Sequence, residues 1–138
     1  MAKLERFYLG PHIDEASTRS EKSGAGVPIV AATRANGLVW TNGAVSADPE
    51  TGRIVLGDIR VQTRRVLQNL KLILEKAGTS FDNVVMVAAF LRDMNDWPAY
   101  HEVYGEFFDL QKPPPRYTVR AELADPRWLV EIQMTAVV

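Results

Sequence analysis

Residues 84–91 read Val-Val-Met-Val-Ala-Ala-Phe-Leu, eight consecutive positions without a polar side chain. The run is short and rich in valine, which favours a strand over a buried helix. A strand with one face in water alternates apolar and polar residues. This one does not alternate, so both of its faces are expected to be covered. One layer of helices can cover one face, and a chain of 138 residues has little left for the other. A second subunit is the economical cover, and oligomerisation is expected on this ground alone.

The flanking segments supply the helix layer. Asp58 is placed to cap a helix running to about Ala77, and Gly78 to stop it. Ile59, Thr63, Val66, Leu67, Leu70, Ile73, Leu74 and Ala77 recur at three- and four-residue steps and share one stripe. A second helix is expected after a cap at Asp96, with Pro98 tolerated in its first turn. Trp97, Tyr100, Tyr104, Phe107 and Phe108 form its apolar side, which reads as core packing. Pro113-Pro114-Pro115 then ends any helix and delivers the chain, extended, to Arg116.

The remaining elements are strands. Residues 28–33 and 38–42 flank Asn36-Gly37, a strong hairpin dipeptide. A turn at Asp48-Pro49-Glu50-Thr51-Gly52 leads into a short strand near 53–56. The last two strands, 116–123 and 128–138, are joined through Ala124-Asp125-Pro126 and are expected to pair as a hairpin. The order β-β-(β)-α-β-α-β-β predicts an α+β sandwich, a mixed β-sheet with two helices packed on one face. Residues 1–26 are polar and weakly periodic and read as an N-terminal arm; residues 27–138 read as the single domain.

Composition narrows the chemistry. No cysteine is present, which excludes disulfides, thiolate metal sites and cysteine nucleophiles. The formal charge of −1 gives no general attraction to phosphate backbones or anionic membranes. Arg60, Arg64, Arg65 and Lys71 make a local basic patch, read as a solvated helix face rather than a nucleic-acid site. No apolar run approaches the roughly 20 residues of a spanning helix, and the first 22 residues lack a signal-peptide core. A cytoplasmic location is the expectation. His101-Glu102 does not open a zinc-binding H-E-x-x-H motif, because Gly105 stands where the second histidine would be.

The last two strands carry the most suggestive polar pattern. Arg116, Thr118, Arg120 and Glu122 alternate against Tyr117, Val119, Ala121 and Leu123, and Glu131, Gln133 and Thr135 alternate against Trp128, Val130, Ile132 and Met134. If the two polar faces coincide, arginines and carboxylates meet. A water-facing sheet would show the same alternation.

Residues 28–138 resemble the Rid (reactive intermediate deaminase, or YjgF) family. The resemblance lies in Leu38-Val39-Trp40-Thr41-Asn42-Gly43, Asp48-Pro49-Glu50-Thr51-Gly52, Gln62-Thr63-x-x-Val66-Leu67-x-Asn69-Leu70 and Phe90-Leu91-x-Asp93-Met94-Asn95-Asp96. It continues in Val103-Tyr104-x-x-Phe107-Phe108, Pro115-Arg116-x-Thr118-Val119 and Val130-Glu131-Ile132. It implies a chorismate-mutase-like sandwich, a homotrimer with its sheets facing inward, and active sites in the clefts between subunits. The implied reaction is hydrolysis of 2-imino and 2-enamino acids to 2-oxo acids and ammonia.

By the same resemblance Arg116 holds the carboxylate of a small-molecule substrate, and Glu131 orients water and moves protons. Gly43 and its neighbour Asn42 lie in the segment whose backbone carbonyl holds that water, and a main-chain N–H at Thr118 assists with the carboxylate. No cofactor or metal is implied, since a protonated imine is already electrophilic. Three cleft positions depart from the usual pattern: Ile29 replaces a tyrosine, Asn42 a serine and His101 an asparagine. The departures leave open a larger enamine of the aminomuconate type, or a non-catalytic binding trimer. RNA cleavage, attributed to some relatives, is disfavoured by the charge and by the lack of paired histidines.

Overall fold

The computed structural model describes residues 2–9 and 29–138. Six strands and two helices follow one another as β1 (Glu5–Phe7), β2 (Ala32–Ala35), β3 (Leu38–Thr41), α1 (Ile59–Lys76), β4 (Val84–Leu91), α2 (Trp97–Tyr104), β5 (Arg116–Arg120) and β6 (Val130–Val137). They form one mixed sheet in the order β1-β2-β3-β6-β4-β5, with both helices on one face.

Local chemistry explains most boundaries. Asn36 and Gly37 take φ of 50° and 75°, the left-handed pair that a two-residue hairpin turn requires. The Asp58 carboxylate accepts the Val61 N–H at 3.0 Å and opens α1. Gly78, at φ 89°, ends it. The stripe of α1 packs on Val87, Ala89 and Leu91 of β4 and on Val130, Ile132, Met134 and Ala136 of β6, which form the core.

Two polar residues are buried with that stripe and tie α1 to loops. Gln62 donates to the Arg127 carbonyl at 3.0 Å and accepts the Leu129 N–H at 2.9 Å. Asn69 donates to the carbonyls of Ala47 and Val45 at 2.7 and 3.3 Å.

Several expectations are corrected. The largest concerns the last two strands, which are not a hairpin: β4 lies between them, antiparallel to β6 and parallel to β5. Part of the expected arm is sheet, because Glu5–Phe7 pairs with β2 and Lys76 Nζ donates to the Tyr8 carbonyl at 2.5 Å. The rest of that arm, from residue 10 on, lies outside the described residues, as does Pro28.

The first hairpin strand is Ala32–Ala35 rather than 28–33, and the strand expected at 53–56 is a single bridge between Ala47 and Ile54. Asp96 stands at the N-cap of α2, as expected, but makes no side-chain capping bond. The short 3-10 turn Met94–Asp96 that precedes it is capped, as the Asp93 carboxylate accepts the Asn95 N–H at 2.9 Å.

Among the described residues the second face of β4 is only partly covered, with Ala88 buried and Phe90 half-buried there. Val85 and Met86 at a bulge are exposed, and Trp40, Tyr117, Val119 and Val137 are exposed with them.

Candidate functional site

Arg116 opens β5, delivered by the proline run, whose last carbonyl accepts the Val87 N–H at 3.0 Å. Its Cα partner on β4 is Val87, and that of Val87 on β6 is Met134. Both partners are buried under the helices, so Arg116 also points to the helix face. There its guanidinium carbon stands 4.2 Å above the Tyr104 ring, 5.5 Å from that of Tyr100 and 5.9 Å from that of Trp97. Nη2 lies 3.0 Å from His101 Nδ1. Nη1 is buried and meets no hydrogen-bond partner among the described residues.

The expected aromatic stripe of α2 is core packing, as Tyr100, Tyr104 and Phe108 are buried, and it is also a cage for a cation. Sequence reasoning missed that second role. The signal was available in the spacing: Trp97, Tyr100, His101 and Tyr104 recur at three- and four-residue steps on one helix face, just before an arginine led in by prolines. Burial pushes the Tyr104 phenol up to about 12, against the opposing effect of the Arg116 charge. Tyr100 is raised for the same reason. Both phenols therefore stay neutral beside the guanidinium at physiological pH.

His101, Tyr104, Leu110, Pro113, Pro114 and Arg116 line an open cleft of about 330 Å³. Among the described residues no carboxylate pairs with Arg116, so an ion pair with Glu131 or Glu122 is not its role within one chain. Thr118, two residues along β5, shares the helix side and is half-buried.

Glu131 sits elsewhere. Its Cα partner on β4 is Phe90, itself level with Val119, so its side chain leaves the opposite, open face. Two strand spacings and three residues separate Arg116 from Glu131, roughly 14 Å between their Cα atoms. The anticipated coincidence of polar faces does not occur, because insertion of β4 sets the parity of β5 and β6 independently.

Glu131 is half-buried, and burial raises its carboxyl above the ordinary carboxylate range. Beside it runs the 42–44 segment, held to β6 by reciprocal bonds between Ala44 and Ile132 at 2.8 and 3.1 Å. Gly43 abuts the Glu131 carboxylate so closely that a β-carbon there would overlap it. Asn42, Gly43 and Ile29, with Leu9 and Ala31, border a small cavity of about 60 Å³. Leu9 comes from the segment after β1, a contribution the sequence did not announce.

The sequence-identified residues thus form two groups. Arg116, Thr118 and His101 stand on the helix side at the β5 edge; Glu131, Gly43, Asn42 and Ile29 gather around the end of β3. Among the described residues no three His, Cys, Asp or Glu side chains come together to hold a metal ion, and no helix is long and apolar enough to cross a membrane.

The expected basic patch is largely engaged. Arg60 pairs with Glu102 at 2.7 Å, Arg64 makes a two-pronged pair with Glu106 at 2.8 and 3.1 Å, and Arg65 donates to Asn69 at 3.0 Å.

Known proteins resemble most of the chain. It is 42% identical over 109 residues to a RutC family protein of Pyrococcus horikoshii, covering 79% of this chain and 86% of that one. It is 40% identical over 109 residues to the 3-aminoacrylate deaminase RutC of Acinetobacter baylyi, with the same coverage. The crystal structure of E. coli TdcF with bound serine superposes with a TM-score of 0.74 at 29% identity, covering 91% of this chain and 94% of that one. The family model described as Endoribonuclease L-PSP matches residues 21–138. The chain belongs to this family, the Rid or YjgF family of the sequence resemblance.

Proposed function

We propose that the protein is a hydrolytic deaminase of 2-imino and 2-enamino acids, working as a homotrimer with each site completed across two protomers. The observation that carries this reading is a caged arginine that meets no carboxylate among the described residues, standing in a cleft on a chain related to a named deaminase. A guanidinium grips a carboxylate through two parallel bonds, which fixes position and orientation together. Serine, the ligand of the related TdcF, also carries a carboxylate.

The reaction needs little else. Water adds to the imine carbon as the C=N bond becomes a C–N single bond and nitrogen takes a proton. The resulting carbinolamine then expels ammonia as its C–O bond becomes C=O. Glu131 suits the proton movements, since burial raises its carboxyl above the ordinary carboxylate range and so favours its taking up a proton. Gly43 supplies a backbone carbonyl beside it for the water. Thr118, Asn42, Ile29 and His101 shape the cleft around the substrate.

Arg116 and Glu131 leave opposite faces of one sheet, so a site using both draws them from two copies of the chain. The exposed Trp40, Val85, Met86, Tyr117 and Val119 give those copies an apolar surface to share. RNA cleavage is the weaker reading, because Arg60 and Arg64 are already paired with glutamates and leave little uncompensated charge for phosphate.

The test generates 2-iminopropanoate in situ with an amino-acid oxidase and follows its loss by semicarbazone trapping. Wild type should accelerate the loss, sediment as a trimer, and lose on the order of 100-fold in kcat/KM on Arg116→Ala, as expected for two charge-assisted bonds. Equal activity in the two proteins would defeat the proposal. Binding of 2-oxo acids without turnover of any imine would leave a binding trimer instead. An enamine of the aminomuconate type turned over faster than the small imines would move the substrate class upward in size.

A further inference from the structure

A guanidinium carries N–H donors and no acceptor. The 3.0 Å contact between Arg116 Nη2 and His101 Nδ1 therefore exists while Nδ1 keeps its lone pair. The tautomer follows: the imidazole proton is on Nε2. The ring is itself held, stacked on Trp97 at 4.6 Å with 13° between planes, and nearly parallel to Tyr104 at 6.5 Å and 14°. A cation above an aromatic face is fixed in height but turns readily about the ring normal, since the attraction depends weakly on that angle. Tyr104 thus sets where the guanidinium lies. It does not set how it is turned.

We propose that His101 is a positioning residue for Arg116. Its Nδ1 fixes the rotation of the guanidinium over Tyr104, so that the N–H groups it leaves free keep one fork orientation for an incoming carboxylate. This inference rests on the reading of Arg116 as the substrate's carboxylate holder and adds a residue to it.

The arrangement has a proton-linked consequence. A proton on Nδ1 turns the acceptor into a donor pointed at a cation, and the contact is lost. Among the described residues the charged and titratable groups around His101 are few. Arg116 faces it from β5, Tyr100 and Tyr104 share its helix, and Glu102 beside it is engaged by Arg60. The rest of the cleft wall is Leu110, Pro113 and Pro114, which do not titrate.

The test measures calorimetric binding of pyruvate, the 2-oxo acid product, together with kcat and KM for 2-iminopropanoate, on the acid and alkaline sides of neutrality. His101→Leu removes the acceptor and should weaken pyruvate and raise KM about tenfold, the loss of one hydrogen bond to a charged group, with kcat unchanged. His101→Asn offers an amide oxygen that cannot titrate. It should restore binding and remove any weakening at acid pH that comes from loss of the Nδ1 acceptor.

If His101→Leu binds pyruvate as wild type does while Arg116→Ala does not, the positioning role is wrong and the arginine reading stands. If neither substitution matters, the arginine reading itself has failed. Should His101→Leu not fold, the comparison of wild type with His101→Asn decides alone: superimposable pH profiles overturn the proposal.

Discussion

A β-carbon built on Gly43 would stand 2.3 Å from Oε1 of Glu131 and 2.9 Å from its Cδ. The glutamate occupies the room that the missing side chain leaves, and the two segments are clamped there by the Ala44–Ile132 bonds. Nothing in the backbone angles of Gly43 demands glycine, as its φ is not positive. The demand comes from the carboxylate.

Gly43→Ala should therefore fold normally and push the far end of the Glu131 side chain aside. A displacement of about 1 Å at a catalytic group can cost on the order of 100-fold in rate. The expected result is a fall in kcat of that order with an unfolding temperature close to wild type. A variant with wild-type kcat would show that the position of the Glu131 carboxylate is unimportant.

Glu131 also sets a pH dependence of stability. Burial raises its folded-state pKa above that of an ordinary carboxylate, so the folded chain holds this proton more tightly than the unfolded chain does. The stabilising contribution is complete below the unfolded value and is lost as pH rises through the folded one. Glu131→Gln removes the charge, so it should unfold at a higher temperature than wild type at neutral pH. The two should converge as pH falls toward 4. Thermal denaturation across this range checks it, and a gap that stays constant with pH would mean that burial of the charge is not its cause.

Gln62 is a buried polar residue within an apolar stripe, joined to both sides of the Arg127–Leu129 turn. Gln62→Leu keeps much of the volume but strands a backbone N–H and a carbonyl. The expected destabilisation is about 1–3 kcal/mol, measured by urea unfolding. A loss well below that range would indicate that water reaches the freed groups.

What could be read from the residues alone was chiefly local. The stripe of α1, its Asp58 cap, the Asn36-Gly37 turn and the apolar β4 are each fixed by chemistry within a few residues. Strand order is not. Ala124-Asp125-Pro126 announces that the chain reverses, but no nearby residue reports that β4 lies between the two strands so joined.

The site suffered from the same blindness. The identities of Arg116 and Glu131 came from the family resemblance, whereas their separation onto two faces depends on pairings of each with a strand remote in sequence. The bond from His101 to Arg116 spans two elements, and the sequence offers no periodicity that would connect them. Aromatic spacing along α2 was visible, yet its use as a cage needed a cation whose direction only the sheet register decides.

The placement of Arg116 and Glu131 on opposite faces has a genetic consequence. In the proposed two-copy site Arg116→Ala and Glu131→Gln are each expected to be inactive, and each retains what the other lacks. Unfolded together and reassembled, they should form mixed rings in which one junction joins an intact arginine to an intact glutamate, and activity should reappear from two dead parents. A cell carrying both alleles would then be rescued, whereas either defective copy mixed with a normal one would spoil junctions in proportion to its abundance.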